Sequence, residues 1–185
     1  ELRTNPKILE IFGGIWGTTD LIVSYDGNCF MSEKYKKYDG KCWIHTDQSQ
    51  SKPNLECYQS FISLTNNKSR TLVVYESSHK LHKRYFDDRN IKSSKDWHKI
   101  DPDYLKEISH LKRTLEVPAG ALVIWDSRTF HQNQYGLKNE ERIVQYLCYL
   151  PRNHRKNTEA NQKKRLKYFN EKRTTSHWPC PIKVN

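Results

Sequence analysis

Apolar residues recur with helical spacing near the start of the chain and with strand spacing through most of the rest. Between Pro6 and Trp16 they fall every three or four positions, which predicts a helix that the Gly13-Gly14 pair ends or bends. A second helix is predicted after Asp101, because aspartate is a good N-cap and Pro102 suits the first helical position.

Short stretches rich in β-branched and aromatic residues predict strands along much of the chain. They cover residues 20–25, 42–45, 57–64, 70–75, 121–125 and 142–150. Asn66-Asn67-Lys68 separates two of them as a hairpin loop would, so antiparallel pairing is expected. Many short strands with one inserted helix favour a mainly β fold, either a sandwich or a jelly roll, over a parallel α/β sheet. Periodicity alone does not distinguish these β folds.

Two polar regions complete the pattern. Residues 80–99 have no strong periodicity, which favours a loop of the kind that often serves as a lid or binding loop. Residues 158–172 are predicted to form a polar helix that packs through Leu166 and Phe169. We therefore expect a single domain over residues 1–185, with residues 152–185 as a basic helical tail packed on it.

Composition narrows the class of protein. No run of residues approaches the roughly 18 consecutive apolar positions that a membrane span needs. The formal net charge is +11, but nine basic and two acidic residues between positions 152 and 173 supply most of it. A single basic segment is more often a solvated helix face than a nucleic-acid site. Nucleic-acid binding through this tail is therefore an alternative that we do not favour.

The five cysteines are odd in number, widely spaced and without a Cys-x-x-Cys pair, which indicates neither a disulfide framework nor a zinc ribbon. Reduced thiols in strand-like sequence favour a reducing compartment, and we expect a cytoplasmic protein. The chain begins with Glu1 rather than Met, which is compatible with a fragment whose start, with any targeting sequence, lies upstream.

The strongest chemical signal is a His-x-Asp pattern at the end of a predicted strand. Side chains at positions i and i+2 of a strand project to the same side, so His45 and Asp47 can bind one metal ion together. His131, which follows the predicted strand 121–125, can supply a third ligand. Two histidines and one carboxylate form the facial triad of non-haem Fe(II) oxygenases, which leaves coordination positions for a cosubstrate and O2. By itself, however, a His-x-Asp pattern is usually a surface or capping pair.

Arg142 raises the significance of this pattern. It lies 11 positions after His131 and begins an alternating strand. If the two strands pair in an antiparallel barrel, Arg142 points into the same cavity as the metal, where a guanidinium binds a carboxylate with two hydrogen bonds. The alternative is an arginine at a sheet edge in a surface ion pair.

With these residues in place, the chain resembles the phytanoyl-CoA dioxygenase family of Fe(II)- and 2-oxoglutarate-dependent enzymes, which have a double-stranded β-helix. The resemblance covers most of the chain. It rests on the motifs His45-Thr46-Asp47-Gln48, Tyr58 to Leu64, Thr71 to His79 and Pro118 to Arg128, followed by His131 and Arg142. The family usually has Gly-Ser-His where this chain has Ser77-Ser78-His79, and typical members have more chain before the first strand.

The resemblance implies a role for each of these residues. His45, Asp47 and His131 would bind Fe(II), and Arg142 would hold the distal carboxylate of 2-oxoglutarate. Asn133 and Gln59 would line the cosubstrate pocket. The implied reaction consumes O2, releases succinate and CO2, and hydroxylates a C–H bond of a small-molecule or acyl-type substrate. Two alternatives stay open: a nucleic-acid or protein hydroxylase of the same superfamily, and a non-catalytic jelly roll that binds a partner through its basic tail.

Overall fold

The computed structural model describes residues 1–34, 40–136 and 139–184. The α-helices in this part of the chain are α1 (Pro6–Trp16), α2 (His82–Asp88), α3 (Pro102–Glu107) and α4 (Glu159–Asn170). Its strands are β1 (Leu21–Val23), β2 (Asn28–Met31), β3 (His45–Thr46), β4 (Tyr58–Ser63), β5 (Leu72–Tyr75), β6 (His98–Lys99), β7 (Lys112–Thr114), β8 (Leu122–Asp126), β9 (His131–Asn133), β10 (Arg142–Leu147) and β11 (Tyr149–Pro151). Short 3-10 turns occur at Leu2–Thr4, Ser78–Lys80 and Ser109–Leu111.

The strands form two principal antiparallel sheets that face each other. One sheet has the order β2-β10-β4-β8 and the other β6-β3-β9-β5-β7, while β1 pairs separately with β11. Strands that follow one another along the chain mostly alternate between the two sheets, as in β2, β3, β4 and β5. This alternation winds the chain into a double-stranded β-helix, so the predicted mainly β jelly roll is confirmed.

Apolar side chains project from both faces of each sheet, and both faces are buried. Between the sheets, Phe61, Leu72, Trp125 and Val144 form a shared core. Helices cover the outer faces because every second side chain of these strands is also apolar. The groups involved are Ile8 and Phe12 of α1 against Leu147 and Tyr149, and Tyr85, Phe86, Tyr104 and Leu105 of α2 and α3 against Val73 and Phe130.

Local capping explains where the predicted helices begin and end. Asn5 caps α1 and Asp101 caps α3, each with a proline at the start of the helix. The Gly13-Gly14 pair neither ends nor interrupts α1, which continues to Trp16. The helix stops at Gly17, whose φ of 66° is the left-handed conformation that glycine adopts readily. Packing of Phe12, which is fully buried, holds the helix through the two glycines.

Two predictions about connections are wrong. The chain from β4 to β5 is not a hairpin, because β4 pairs with β8 and β10 whereas β5 pairs with β7 and β9. The region 80–99 is also not simply a loop, since α2 lies within it. Tyr85 and Phe86 are each 1% exposed there, and this burial against the sheet stabilises a helix that has little amphipathic sequence signal.

The tail packs differently from the prediction. Leu166 and Phe169 of α4 are 63% and 66% exposed, and of the two it is Phe169 that keeps a ring contact with the domain, 6.0 Å from the Tyr25 ring, so they dock the helix only weakly. The segment after α4 packs against the domain more closely, through buried Trp178, Cys180 and Ile182. Arg165 joins α4 to the domain, because its guanidinium donates to the carbonyl oxygens of Pro179 and Val23, each at 2.8 Å. None of the helices in the described ranges is long and apolar enough to cross a membrane.

Candidate functional site

The structure brings His45, Asp47 and His131 together at one end of the space between the sheets. His45 on β3 and His131 on β9 are paired residues of neighbouring strands, and Asp47 follows β3 directly. The Nε2 atoms of His45 and His131 lie 3.4 Å and 3.3 Å from the Asp47 Oδ2 atom. One ligand atom from each side chain lies within 4.8 Å of the other two, a spacing that suits a single metal ion.

Backbone carbonyls orient both imidazoles. The His45 Nδ1 lies 3.1 Å from the carbonyl oxygen of Trp43, and the His131 Nδ1 lies 2.9 Å from that of Thr129. Because a carbonyl oxygen only accepts, each Nδ1 donates, and each Nε2 faces Asp47. A divalent metal would therefore meet three ligand atoms that the protein already orients, the two Nε2 atoms and a carboxylate oxygen of Asp47.

Asp47 is held as a carboxylate. Burial by itself raises the pKa of Asp47, but hydrogen bonds with His131 and His45 outweigh burial and hold its pKa well below the usual range. The Gln59 side-chain amide also donates to Asp47 Oδ2, at 2.9 Å. Gln59 therefore positions a candidate metal ligand, a more specific contact than the cavity-lining role expected from the sequence.

Aromatic rings enclose the histidines. The His45 imidazole is stacked between the indoles of Trp43 and Trp97, with ring centroids 5.0 Å and 5.5 Å away. Trp125 lies against His131 with a centroid distance of 5.3 Å. Trp97 comes from the polar region 80–99, so this region contributes to the site as the sequence predicted, although α2 occupies part of it. These rings restrict rotation of the imidazoles and limit water around them.

A cavity of about 770 Å³ opens next to this cluster. His45, Asp47, Gln59, His131 and Asn133 line it. Other lining residues are Asp26 from the N-terminal part, Lys95 and Asp96 from the region 80–99, and Ser176, His177, Trp178 and Lys183 from the tail. That the tail reaches this cavity could not be predicted from the sequence, because Asp47 and the tail are far apart along the chain. Burial lowers the pKa of His177, which favours the uncharged imidazole.

Asp26 is a second carboxylate at this cavity, and its pKa shifts in the opposite direction. Burial raises the pKa of Asp26 to about 6, although the backbone amide of Gly27 and the charge of Arg3 oppose that shift. Asp26 was not predicted from the sequence to line the cavity. The only local signal was an Asp-Gly turn after a predicted strand, which is common for purely structural reasons.

Arg142 is fully buried on the inner face of β10. Its Nη1 contacts the Cys29 sulfur at 3.4 Å, and its guanidinium carbon lies 5.4 Å from the centroid of the Phe61 ring. Its Nε and Nη2 have no hydrogen-bond partner among the described residues. The alternative of a surface ion pair is therefore wrong. Arg142 is not one of the described residues that line the cavity, however, so its guanidinium lies behind the wall rather than openly in it.

Asn133 lines the cavity and forms a hydrogen bond with Tyr146. Its side-chain nitrogen donates to the Tyr146 hydroxyl at 2.9 Å, while its Oδ1 is buried with no hydrogen-bond partner in the described structure. Tyr146 and Arg142 project from the same face of β10, since they are four positions apart on one strand. Arg142 and Asn133 thus retain unused buried donors and an unused buried acceptor in the interior of the jelly roll.

No protein-family model matches the chain. The chain is 26% identical over 165 residues to Ava biosynthesis cluster protein O of Aspergillus versicolor, covering 82% of this chain and 54% of that protein. It therefore spans about half the length of this curated relative. Among solved structures it is similar to the epimerase SnoN in complex with Fe3+, alpha ketoglutarate and nogalamycin RO, with 16% identity and a TM-score of 0.54, over 80% of this chain and 57% of that one.

The structural likeness extends to the fold alone at this level of identity. It agrees with the strand order described above. Membership of the phytanoyl-CoA dioxygenase family stays a prediction. What these observations establish is that the chain has the jelly-roll fold found in SnoN, with a His-Asp-His cluster beside its cavity.

Proposed function

We propose that the chain is an Fe(II)- and 2-oxoglutarate-dependent oxygenase that hydroxylates a C–H bond of a small molecule. The observation that carries this proposal is the convergence of His45, Asp47 and His131. Their ligand atoms come from one end of the jelly roll, are oriented by backbone carbonyls, and face a cavity of about 770 Å³. Two imidazoles and one carboxylate are a ligand set that suits Fe(II) and leaves positions for other ligands.

The buried polar atoms of Arg142 and Asn133 support 2-oxoglutarate as the cosubstrate. A guanidinium with no carboxylate partner is unfavourable in an apolar interior, and a dicarboxylate would supply the missing acceptor. Arg142 would bind the distal carboxylate of 2-oxoglutarate, and Asn133 would lie beside it. Because Arg142 lies behind the cavity wall, binding requires the wall around Tyr146 to open locally. When bound together, iron and 2-oxoglutarate supply the activation of O2 that C–H hydroxylation needs.

A small molecule is the substrate class that the cavity favours. Its volume falls within the ordinary range for small-ligand pockets, and tryptophans form much of its wall. SnoN was solved with a small-molecule ligand, nogalamycin RO, which is compatible with this choice. Apart from Arg165, the charged side chains of α4 are exposed, and Lys163 pairs with Glu159 on the helix surface. A solvated helix face explains this charge without nucleic acid.

The test needs no substrate. Fe(II) and 2-oxoglutarate are added to the purified chain without oxygen, and the weak visible charge-transfer band of their chelate is recorded. We expect the band in the unmodified chain and its loss in His45→Ala, because this substitution removes one of three iron ligands. His110→Ala is the matched control, since His110 is exposed and the band should persist.

A well-folded chain without the band, or a band that His45→Ala leaves unchanged, would contradict the proposal. In the first case the non-catalytic binding module becomes the better explanation. Binding of nucleic acid with a steep salt dependence would then support a partner for the basic tail.

A further inference from the structure

The segment after α4 forms one wall of the cavity opposite the iron-ligand candidates. Ser176, His177, Trp178 and Lys183 all line the same cavity as Asp47 and His131. From the sequence, this part of the chain was expected to be a basic helical tail packed on the domain. Its position makes it instead a source of side chains at the place where a substrate would lie.

Backbone contacts fix this segment firmly. The Thr175 amide donates to the Tyr25 carbonyl at 2.9 Å, and the Tyr25 amide donates to the Thr175 hydroxyl at 3.1 Å. The Ser176 amide donates to the Lys183 carbonyl at 2.9 Å, which closes the segment into a turn. Trp178 is buried against Cys57 and Cys148. Ser176 and His177 are therefore held in place before any ligand arrives, which lowers the entropic cost of binding.

Two buried polar atoms of this segment lack a hydrogen-bond partner in the part of the chain that the structure describes. The Ser176 Oγ and the His177 Nε2 are both buried and lack a hydrogen bond within the described residues. Adjacent buried groups of this kind are uncommon in folded proteins, because each loses its water without gaining a replacement. The His177 ring lies 5.0 Å from the Trp178 ring, so packing maintains its position without a hydrogen bond.

We propose that Ser176 and His177 form a hydrogen-bonding subsite for a hydroxyl group of the substrate. This inference rests on the proposed function, and it assigns the substrate class more closely. A hydroxyl is the simplest group that serves both residues, because it donates one hydrogen bond and accepts another.

The rest of the cavity indicates the shape of the molecule that carries this hydroxyl. Four of its lining residues are tryptophans, namely Trp43, Trp97, Trp125 and Trp178. Indole rings bind flat apolar surfaces well, since their faces offer large contact areas at low conformational cost. The substrate class is therefore a flat, largely apolar small molecule with a hydroxyl group directed toward the C-terminal segment.

The experiment compares two probes that differ by one hydroxyl, 2-naphthol and naphthalene. Affinities are measured by ligand-observed NMR titration of the full chain without added iron, so a failure of the Fe(II) and 2-oxoglutarate test does not affect this result. We expect the unmodified chain to prefer 2-naphthol. Ser176→Ala and His177→Phe should each reduce that preference by about 3- to 10-fold while leaving naphthalene affinity unchanged.

His177→Phe retains a ring against Trp178, and Ser176→Ala removes a single atom, so at least one variant should fold. His110→Phe is the control, because it makes the same substitution at an exposed histidine. If the unmodified chain shows no preference for 2-naphthol, or binds neither probe, the subsite does not exist. An unchanged preference in both variants would also overturn the proposal.

Discussion

The His45, Asp47 and His131 cluster and the Arg142 guanidinium lie in one jelly roll but differ in how their charge is balanced. In the cluster, the Asp47 carboxylate has three side-chain neighbours, His45, His131 and Gln59, within 3.4 Å. Arg142 is more deeply buried, yet two of its three nitrogens have no partner in the described structure. The negative group is therefore already held by the protein, whereas the positive group is not.

This difference shows what each region requires from a ligand. The protein already orients the three side chains of the cluster, and a cation would bind between them. Arg142 depends on an anion from outside, because an unpaired buried charge is unfavourable wherever it lies. A cation would be bound by the three side chains of the cluster, and an anion would pair with the Arg142 guanidinium. The following substitutions test that contrast.

The largest expected effect is at Arg142. Arg142→Met should weaken 2-oxoglutarate binding by about 100-fold, because it removes the buried partner of a carboxylate, and should leave Fe(II) affinity unchanged. Without ligands the variant should be at least as stable as the parent, since the substitution removes an unpaired charge. Calorimetric titration and thermal unfolding measure the two quantities.

Arg70→Met is the matched control for this substitution. Arg70 is also about 1% exposed, but it donates to the Ser32 carbonyl oxygen. Its loss should destabilise the fold without changing 2-oxoglutarate affinity. If Arg142→Met retained the parent's affinity, the assignment of Arg142 would be wrong.

Asp26 offers a test of how burial acts on a carboxylate. Its folded pKa of about 6 lies above the unfolded value near 3.8, so the folded state holds this proton more tightly and Asp26 disfavours folding progressively as pH rises through this interval. Asp26→Asn should therefore raise the free energy of unfolding by about 3 kcal/mol at pH 7.5, and by little near pH 4. Urea unfolding at the two pH values measures the difference. An equal gain at both would exclude titration of Asp26 as the cause.

The smallest effect is expected at Gln59. Gln59→Leu removes the amide that donates to Asp47 but leaves all three ligand candidates, so Fe(II) affinity should fall by about 10-fold rather than disappear. Competition with a metal-sensitive dye measures this affinity. Gln162→Leu on the exposed face of α4 is the control and should leave Fe(II) affinity unchanged. A complete loss of binding in Gln59→Leu would mean that Gln59 does more than position Asp47.

The predictions succeeded where neighbouring residues carried the information. Asp101 was predicted to cap the helix that follows it and does so, because capping depends only on the nearest turn. His45 and Asp47 share a side because strand alternation is local. His131 joined them by order and spacing, and the structure places it on the adjacent strand. These features could be predicted before any contact between distant residues was known.

Predictions failed where packing between distant segments overrode the local pattern. The helix α2 forms because Tyr85 and Phe86 are buried against the sheet, although its sequence has little helical periodicity. Leu166 and Phe169 were expected to dock α4, but both are mostly exposed, and Arg165 makes the hydrogen bonds that hold α4 to the domain. A single apolar residue carries no information about which surface will cover it.

By itself, the sequence determined the caps, most of the strands and the types of side chain available for a metal, because each depends on a few adjacent residues. Only the tertiary structure decided that strands consecutive along the chain mostly lie in opposite sheets, that the Arg142 guanidinium is buried with no carboxylate partner among the described residues, and that Ser176 and His177 line the cavity. Contacts of this kind join residues up to 150 positions apart, such as Tyr25 and Thr175. Their formation depends on the packing of the whole chain, which no local pattern encodes.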